Sequence, residues 1–324
     1  MGIGEILFYI LIFPGLLFLL FWTFFVFYFS RKTLAYIHKR VGPHYNGKWG
    51  SLQTVYDIFK LLTKENITPK SADPYLFNIM PILTPIVASL PVILIPWSPL
   101  IHSGHGILDT NYGVLGLVVL IGVEPFLLFL TGFGSHNKYS FLGGMRVLAQ
   151  MISMEIPFFL SSLSPAILFG TMNLYEIMYS NSWLTTLILL PGAVIYLIAM
   201  LGILEQPPFN IPEAEQEIVY GFYTEYAGTN YTLLKFAEFT EILVVSASAV
   251  VLFFGGYRGF LLDSFWWLFL KIVLIAIIII AIRATNPRLR LDQMLKFCWS
   301  VLTPAAVLNL VWVLFARLYI LGGI

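Results

Sequence analysis

Eight apolar segments, each about as long as a bilayer is thick, constrain the fold of this chain most strongly. They run approximately over residues 5–29, 77–97, 113–133, 147–169, 183–203, 239–255, 262–282 and 298–320. A membrane-spanning helix needs about 20 apolar residues. The chain is also only 11% charged, whereas soluble domains carry about 25% charged residues. We therefore predict an all-α polytopic membrane protein with about eight transmembrane helices, forming a single integral membrane domain over 1–324.

The lysines and arginines are distributed unevenly between the loops. Eight of the 18 lie in loop 30–76, two in loop 134–146, one in loop 204–238 and four in loop 283–297. Loops rich in Lys and Arg stay on the inner side of a membrane. The charge distribution therefore predicts that both termini lie outside and that the long polar loops lie in the cytoplasm or matrix. For the multi-pass protein we expect a location in a prokaryotic cell membrane.

Loop 30–76 contains a candidate surface helix. Gly42 and Pro43 lie in its turn-rich first half, and the segment SLQTVYDIFKLLTKE follows at 51–65. This segment places Leu52, Val55, Phe59 and Leu62 at helical spacing, with polar residues between them. Two interpretations fit an amphipathic helix here: a surface for a peripheral partner, or a helix that lies in the membrane interface.

Negative charge is concentrated in residues 204–241. This stretch has a single cation, Lys235, and seven glutamates: Glu205, Glu213, Glu215, Glu217, Glu225, Glu238 and Glu241. A carboxylate in or beside a bilayer is costly and usually functional. The stretch is either a solvated acidic loop between two helices or a partly buried loop that handles protons or ions.

Ionisable residues also interrupt the apolar segments. Glu124 lies near the middle of the third segment, Glu155 lies in the fourth, and Lys271 is half way along the seventh. Glu238 and Glu241 are expected to open the sixth. One interpretation is a neutralised glutamate–Lys271 pair between two helices. For the whole set, aligned with the acidic stretch, we favour a proton or ion path.

The chain shows no redox centre of its own. A single cysteine, Cys298, excludes an internal disulfide and a cluster held by several thiolates of this chain. The five histidines lack helical metal-binding spacing, and no phosphate-binding glycine motif is present. We therefore expect no catalytic residue and no metal in this chain. The expected partners are the lipid bilayer and other protein subunits, with no nucleic acid.

Five segments carry a family resemblance. They are RVGPHYNGKWGSLQ at 40–53, KLLTKENITP at 60–69, SHNKYSFLGGMRVLAQMISMEIP at 135–157, PPFNIPEAEQEIVYGFYTEYAG at 207–228 and RATNPRLRLDQMLKFCWSVLTP at 283–304. In this order they resemble the membrane subunit of respiratory complex I beneath its peripheral redox arm, the family of NADH-quinone oxidoreductase H subunits. That resemblance extends to homologues in membrane-bound hydrogenases and sulfane sulfur reductases.

The resemblance implies a subunit without a redox cofactor that forms the membrane floor of the cavity where electrons leave the arm. The implied partners are an iron–sulfur subunit, a hydrogenase-like large subunit and antiporter-like membrane subunits. Their cofactors are iron–sulfur clusters, a nickel–iron centre in the hydrogenase branch, and quinone in the quinone-using branch. By matching position, the loop carboxylates are Glu213, Glu215, Glu217 and Glu225, with Glu155 beyond them.

The match also implies an arm-docking or cavity-lining role for Arg40, Gly42, Pro43, Gln53, Gln206, Asn210, Arg283, Arg288, Arg290 and Asp292. Two of these depart from the family pattern. Complex I members usually have Arg at the position of Gln206 and Asp at that of Asn210. Together with the sequence EAEQEI, these departures favour a ferredoxin-linked membrane-bound hydrogenase or sulfur reductase. The length of loop 42–53 instead fits a quinone-site subunit fed by NADH or a reduced deazaflavin, which is the alternative.

The expected mechanism couples reduction in the arm to charge at loop 204–238. One transferred electron would shift the protonation of the loop glutamates together. Protons or sodium ions would then pass by way of Glu155 and Glu124 to a neighbouring subunit. A scaffold without an ion path is a second hypothesis. A stand-alone transporter is a third, and it is disfavoured because no internal repeat is evident.

Overall fold

A computed structural model describes residues 3–99, 107–259, 263–320 and 322. The regular elements in these ranges are all helices, and eight helical segments are long and apolar enough to cross a membrane. The all-α architecture and the number of spans are thus confirmed. The orientation of the termini stays a prediction.

The α-helices are numbered in chain order. They are α1 (Ile3–Leu11), α2 (Leu16–Ile37), α3 (Gln53–Thr63), α4 (Pro74–Ser89), α5 (Gly113–Gly134), α6 (Lys138–Phe169), α7 (Leu174–Ser180), α8 (Trp183–Ile203), α9 (Glu215–Ile218), α10 (Gly228–Phe253), α11 (Phe265–Thr285), α12 (Leu291–Phe297) and α13 (Thr303–Phe315). Two π-helical turns, at Cys298–Leu302 and Ala316–Ile320, follow α12 and α13.

Two spans begin well before the predicted boundaries. Helix α6 begins at Lys138, where the Asn137 side chain accepts a hydrogen bond from the Tyr139 amide at 2.9 Å. Helix α10 begins at Gly228. Glu238 and Glu241 therefore lie inside α10, which corrects the prediction that they open the sixth span. A hydropathy window misses these first turns because they carry polar side chains such as Lys138 and Lys235.

Helix α10 is the central element of the bundle. It packs against α2, α4, α8 and α11, and every side chain from Phe239 to Phe253 is buried. Helix α6 organises a second group and packs against α5, α8 and α13. The segment 204–227, which joins α8 to α10, lies where these two groups meet.

The predicted surface helix is confirmed as α3. Its Phe59 side chain is 62% exposed and its Leu62 side chain 49% exposed. The chain itself therefore leaves this apolar face uncovered, and both predicted interpretations of the helix stay open.

Candidate functional site

Segment 204–227 is packed against α4, α5 and α6 rather than solvated. The Tyr226 ring stacks on Phe77 of α4 with ring centroids 4.3 Å apart, and its hydroxyl donates to the Thr131 carbonyl at 3.0 Å. Ser140 of α6 donates to the Phe222 carbonyl at 3.2 Å. Most of this segment is thus buried, as the interpretation of a partly buried loop requires.

Two glycines allow the segment to approach α6 closely. A Cβ atom on Gly143 would lie 2.7 Å from the Gly221 Cα atom. Gly221 itself has φ +59°, and a Cβ atom there would lie 2.0 Å from the Pro212 carbonyl oxygen. Glycine adopts this left-handed conformation without steric cost. The glycines therefore bring the loop backbone against the helix backbone.

Arg146 of α6 holds the outer part of the segment. Its Nη1 donates to Glu217 Oε2 at 2.6 Å and to the Ile211 carbonyl at 3.4 Å. Arg288 donates to the same Ile211 carbonyl at 3.3 Å. Hydrogen bonding from Arg146 lowers the pKa of Glu217 below its usual value. The loop is thus pinned from two elements that are distant in sequence.

Five glutamates line one small enclosed space, which we name the carboxylate chamber. They are Glu124 of α5, Glu205 and Glu213 of the loop, and Glu238 and Glu241 of α10; Gln206 and Tyr223 also line it. The space open to the centre of a water molecule is about 10 Å³, which is room for about one water. These residues are far apart in the sequence, so it is the folding of the chain that brings them together.

The acids of the chamber are shielded from solvent. Glu124, Glu205 and Glu241 are 2%, 8% and 5% exposed. Each has one carboxylate oxygen without a hydrogen-bond partner among the described residues. Burial, and secondarily the negative charge of Glu213, raises the pKa of Glu205 well above its usual range. A chamber with such acids favours neutral carboxyl groups and the exchange of protons.

Lys235 of α10 is the cation at the chamber wall. Its Nζ atom lies 2.9 Å from Glu213 Oε1 and 2.7 Å from Glu238 Oε2. It also lies 4.2 Å from the centroid of the Tyr223 ring, a cation–π distance. One ammonium group therefore links the loop to the helix and neutralises part of two carboxylates.

The two departures from the family pattern both contact these carboxylates. Gln206 Nε2 donates to Glu238 Oε1 at 3.0 Å. Asn210 Nδ2 donates to Glu213 Oε2 at 3.1 Å. Both amides therefore act as neutral donors to the glutamates that Lys235 bridges.

A second, much larger space adjoins the chamber, and we name it the α2–α10 cavity. It measures about 1000 Å³ by the same criterion. Mostly apolar side chains of α2, α4 and α10 line it, among them Leu19, Phe24, Phe27 and Phe239. Its charged lining comprises Arg31, Lys60, Lys235, Arg283, Asp57 and Glu238. Glu238 lines both spaces, so the two spaces meet at this residue.

Several predicted path residues lie outside the chamber. Glu225 accepts a hydrogen bond from Asn137. Glu155 is half-buried and packs on α5, where a Cβ atom on Gly122 would lie 2.1 Å from its Oε1 atom. Glu215 begins α9, but its side chain lies outside the described residues.

The Lys271 side chain donates hydrogen bonds to backbone carbonyl groups. Its Nζ atom donates to the carbonyls of Phe254, Gly256 and Arg258 at 2.8, 2.9 and 2.8 Å. These carbonyls belong to the C-cap residue Phe254 and to the turn that follows α10, so the ammonium group stabilises this turn. The structure thus places its ammonium on backbone rather than against a glutamate.

The predicted docking residues form two groups on the loops. In the first, Arg40, Gly42 and Pro43 follow α2, and Gln53 Nε2 donates to Asp57 Oδ1 at 3.0 Å. Asp57 in turn pairs with Arg31 of α2, which ties α3 to the bundle. The second group surrounds the start of α12, where Arg290 and Asp292 are exposed, whereas Arg283 lines the α2–α10 cavity.

Three residues contribute to the site although they were not among the predicted path or docking residues: Lys235, Glu205 and Arg146. The role of Lys235 could have been predicted because it is the single cation in the acidic stretch. Glu205 directly follows an apolar segment, which indicates burial near the end of a span. Nothing in the sequence pairs Arg146 with Glu217, because that contact depends on how the loop folds onto α6.

No group of three His, Cys, Asp or Glu side chains within the described ranges is arranged to hold a metal ion.

Comparison with known proteins gives the family. The family profile described as NADH dehydrogenase matches residues 10–314. The NADH-quinone oxidoreductase H subunit of Dehalococcoides mccartyi is 39% identical over 282 residues, which cover 87% of this chain and 79% of the relative. That of Bacillus cytotoxicus is 38% identical over 287 residues, with coverage of 87% and 85%. One of the H subunits of Geobacter sulfurreducens is 38% identical over 294 residues, with coverage of 88% and 89%. The chain belongs to the NADH dehydrogenase family of membrane proteins represented by the H subunits of the NADH-quinone oxidoreductases.

Proposed function

We propose that this chain is the membrane subunit of a quinone-reducing respiratory complex and that its carboxylate chamber couples electron transfer to the movement of protons or sodium ions. The observation that carries the proposal is the shared wall. Glu238 lines both the chamber and the α2–α10 cavity. A change of charge in the cavity therefore acts directly on the chamber.

The α2–α10 cavity suits an amphipathic ligand. An apolar lining over about 1000 Å³ accommodates a prenyl chain. Charged and tyrosyl side chains of the lining, such as Lys235 and Tyr231, accommodate a polar ring. The relatives are named for quinone oxidoreduction, and the same substrate is proposed here.

Coupling through the chamber follows from electrostatics. Charges near a protein interior interact several-fold more strongly than in water, and interacting acids take up and release protons as one set. A charge that appears beside Glu238 would therefore change the protonation of Glu124, Glu205 and Glu241 together. From the chamber, Glu155 would pass the change towards a neighbouring membrane subunit.

The exposed inner loops would hold the partner arm. Arg40 and Arg290, which belong to the two predicted docking groups, are both solvent-exposed. We propose that an iron–sulfur subunit and a large redox subunit bind there, and that antiporter-like subunits bind along the membrane. All redox cofactors would belong to those partners, and the assembly would lie in the cell membrane.

A ferredoxin-linked hydrogenase or sulfur reductase is the second candidate. Gln206 and Asn210 favour it, because both positions are uncharged and are occupied in donating hydrogen bonds to Glu238 and Glu213. Under this alternative no quinone is reduced, and the α2–α10 cavity would hold lipid.

Affinity purification through a tag on this chain, followed by mass spectrometry of the bound proteins, separates the two candidates. Quinone-reductase subunits would support the first, and a nickel-binding large subunit would support the second. The purified complex would then be assayed with Glu155→Gln and with Glu241→Gln, a chamber residue. If both variants kept wild-type rates of electron transfer and ion pumping, the coupling proposal would be wrong and a scaffold role would remain.

A further inference from the structure

One ammonium group connects residues of the two spaces. Lys235 lines the α2–α10 cavity, while both of its ion-pair partners, Glu213 and Glu238, line the carboxylate chamber. The three side chains are only 19%, 15% and 14% exposed. The position of the Lys235 ammonium group therefore depends on its attraction to two mostly buried carboxylates and on the charges that line the cavity.

The cavity side of this balance is electropositive. Its lining includes four cationic side chains, Arg31, Lys60, Lys235 and Arg283, against two acidic ones, Asp57 and Glu238. Arg31 pairs with Asp57, and Lys235 pairs with Glu238 and with Glu213 of the chamber. Lys60 and Arg283 make no ion pair among the described residues. An apolar cavity whose lining holds more cations than anions favours a long amphiphile with an anionic head group.

We propose that Lys235 is a charge latch that keeps the chamber closed from the cavity by bridging Glu213 and Glu238, and that it opens when an anionic head group enters the cavity and competes for the ammonium. That an amphiphile occupies this cavity rests on the proposed function. The latch itself is defined by the three side chains and is tested without turnover.

The competition has a simple electrostatic basis. A third anion beside Lys235 shares the ammonium with the two glutamates and weakens its contact with them. Two neighbouring carboxylates that lose their shared cation repel each other, which favours protonation of one of them. One of them then binds a proton. Protonated Glu213 or Glu238 is thus the observable mark of an open latch.

Dicyclohexylcarbodiimide is an apolar reagent that reacts with protonated carboxyl groups. It therefore detects protonated Glu213 or Glu238 in the intact purified complex. The carboxyl adds across a C=N bond of the reagent, so the labelled peptide gains the whole reagent mass. We expect little labelling of Glu213 and Glu238 in the wild type and in Lys235→Arg. Lys235→Met should label severalfold more. Lys271→Met, which removes a span lysine bound to backbone carbonyls, should label like the wild type.

Two matched probes test the opening step on the wild type, so the test survives if a variant does not assemble. Hexadecanesulfonate carries an anionic head group, and hexadecanol has the same chain without the charge. Sulfonate should raise labelling of Glu213 or Glu238, and the alcohol should not. Equal labelling with both probes, or no increase in Lys235→Met, would overturn the latch. A complex that lacks quinone reductase activity would refute the proposed function and leave these results unaffected.

Discussion

The Nζ atom of Lys235 lies 2.7 Å from Oε2 of Glu238, one turn further along α10. The same atom lies 2.9 Å from Oε1 of Glu213 in the loop. This geometry joins the central helix to segment 204–227 through a single cation. The charge balance of the whole chamber therefore depends on one side chain that also lines the α2–α10 cavity.

Arg146→Met should loosen the loop. The substitution removes the 2.6 Å bond to Glu217 and the bond to the Ile211 carbonyl. Because the Glu217 side chain is 52% exposed, we expect a loss of only about 1 kcal/mol in stability. Thermal unfolding and limited proteolysis between 211 and 220 measure it. Lys138→Met, on the same helix and exposed, is the control; equal proteolysis of the two variants would contradict the assignment.

The close approach of the loop to α6 predicts a steep steric effect at Gly143. An alanine there places Cβ 2.7 Å from backbone atoms of Gly221 and Phe222. Overpacking of this kind costs about 1–3 kcal/mol. Gly116→Ala is the matched control, because its Cβ meets only the Leu94 side chain, at 3.3 Å. Thermal unfolding should show a lower midpoint for Gly143→Ala alone, and similar midpoints would show that the loop does not pack as described.

Glu205 predicts a specific pH dependence of stability. Burial raises its pKa well above the ordinary value of 4.5. The folded protein therefore keeps a proton that the unfolded chain releases, so this group lowers stability as the pH rises from 4.5 towards the raised pKa. Glu205→Gln removes that contribution, and its unfolding temperature should fall less with rising pH. Glu65→Gln, on an exposed loop, should follow the wild-type profile. Parallel profiles for Glu205→Gln and wild type would contradict the burial.

The tie between α2 and α3 predicts a local effect of Asp57→Asn. Asp57 accepts from Arg31 and from Gln53, and this ion pair adds to the packing of α3 against α2 and α10. The variant should show faster amide hydrogen exchange in Gln53–Thr63, with little change in α10. Glu65→Gln serves again as the charge-matched control. Unchanged exchange in α3 would mean that the ion pair does not hold this helix.

The fold was largely predictable because the number of spans depends on apolar length, which hydropathy reads directly. The boundaries of α6 and α10 were not, because polar residues such as Lys235 and Glu238 face protein rather than lipid. The sequence identified the acidic stretch, but it could not show which acids share a space. Glu124 and Glu205 meet Glu241 only through the packing of α5, the loop and α10, whereas Glu225 lies apart with Asn137.

The most direct test of the account is the number of ions moved per electron by the purified complex in liposomes carrying Glu241→Gln. The substitution keeps the shape of a chamber residue that has one unpartnered oxygen among the described residues, but it removes its proton exchange. The account predicts that electron transfer continues while the ion-to-electron ratio falls clearly below that of the wild type. Glu176→Gln, an acid of α7 away from the chamber, should leave the ratio unchanged. A wild-type ratio in Glu241→Gln would contradict the coupling role of the carboxylate chamber.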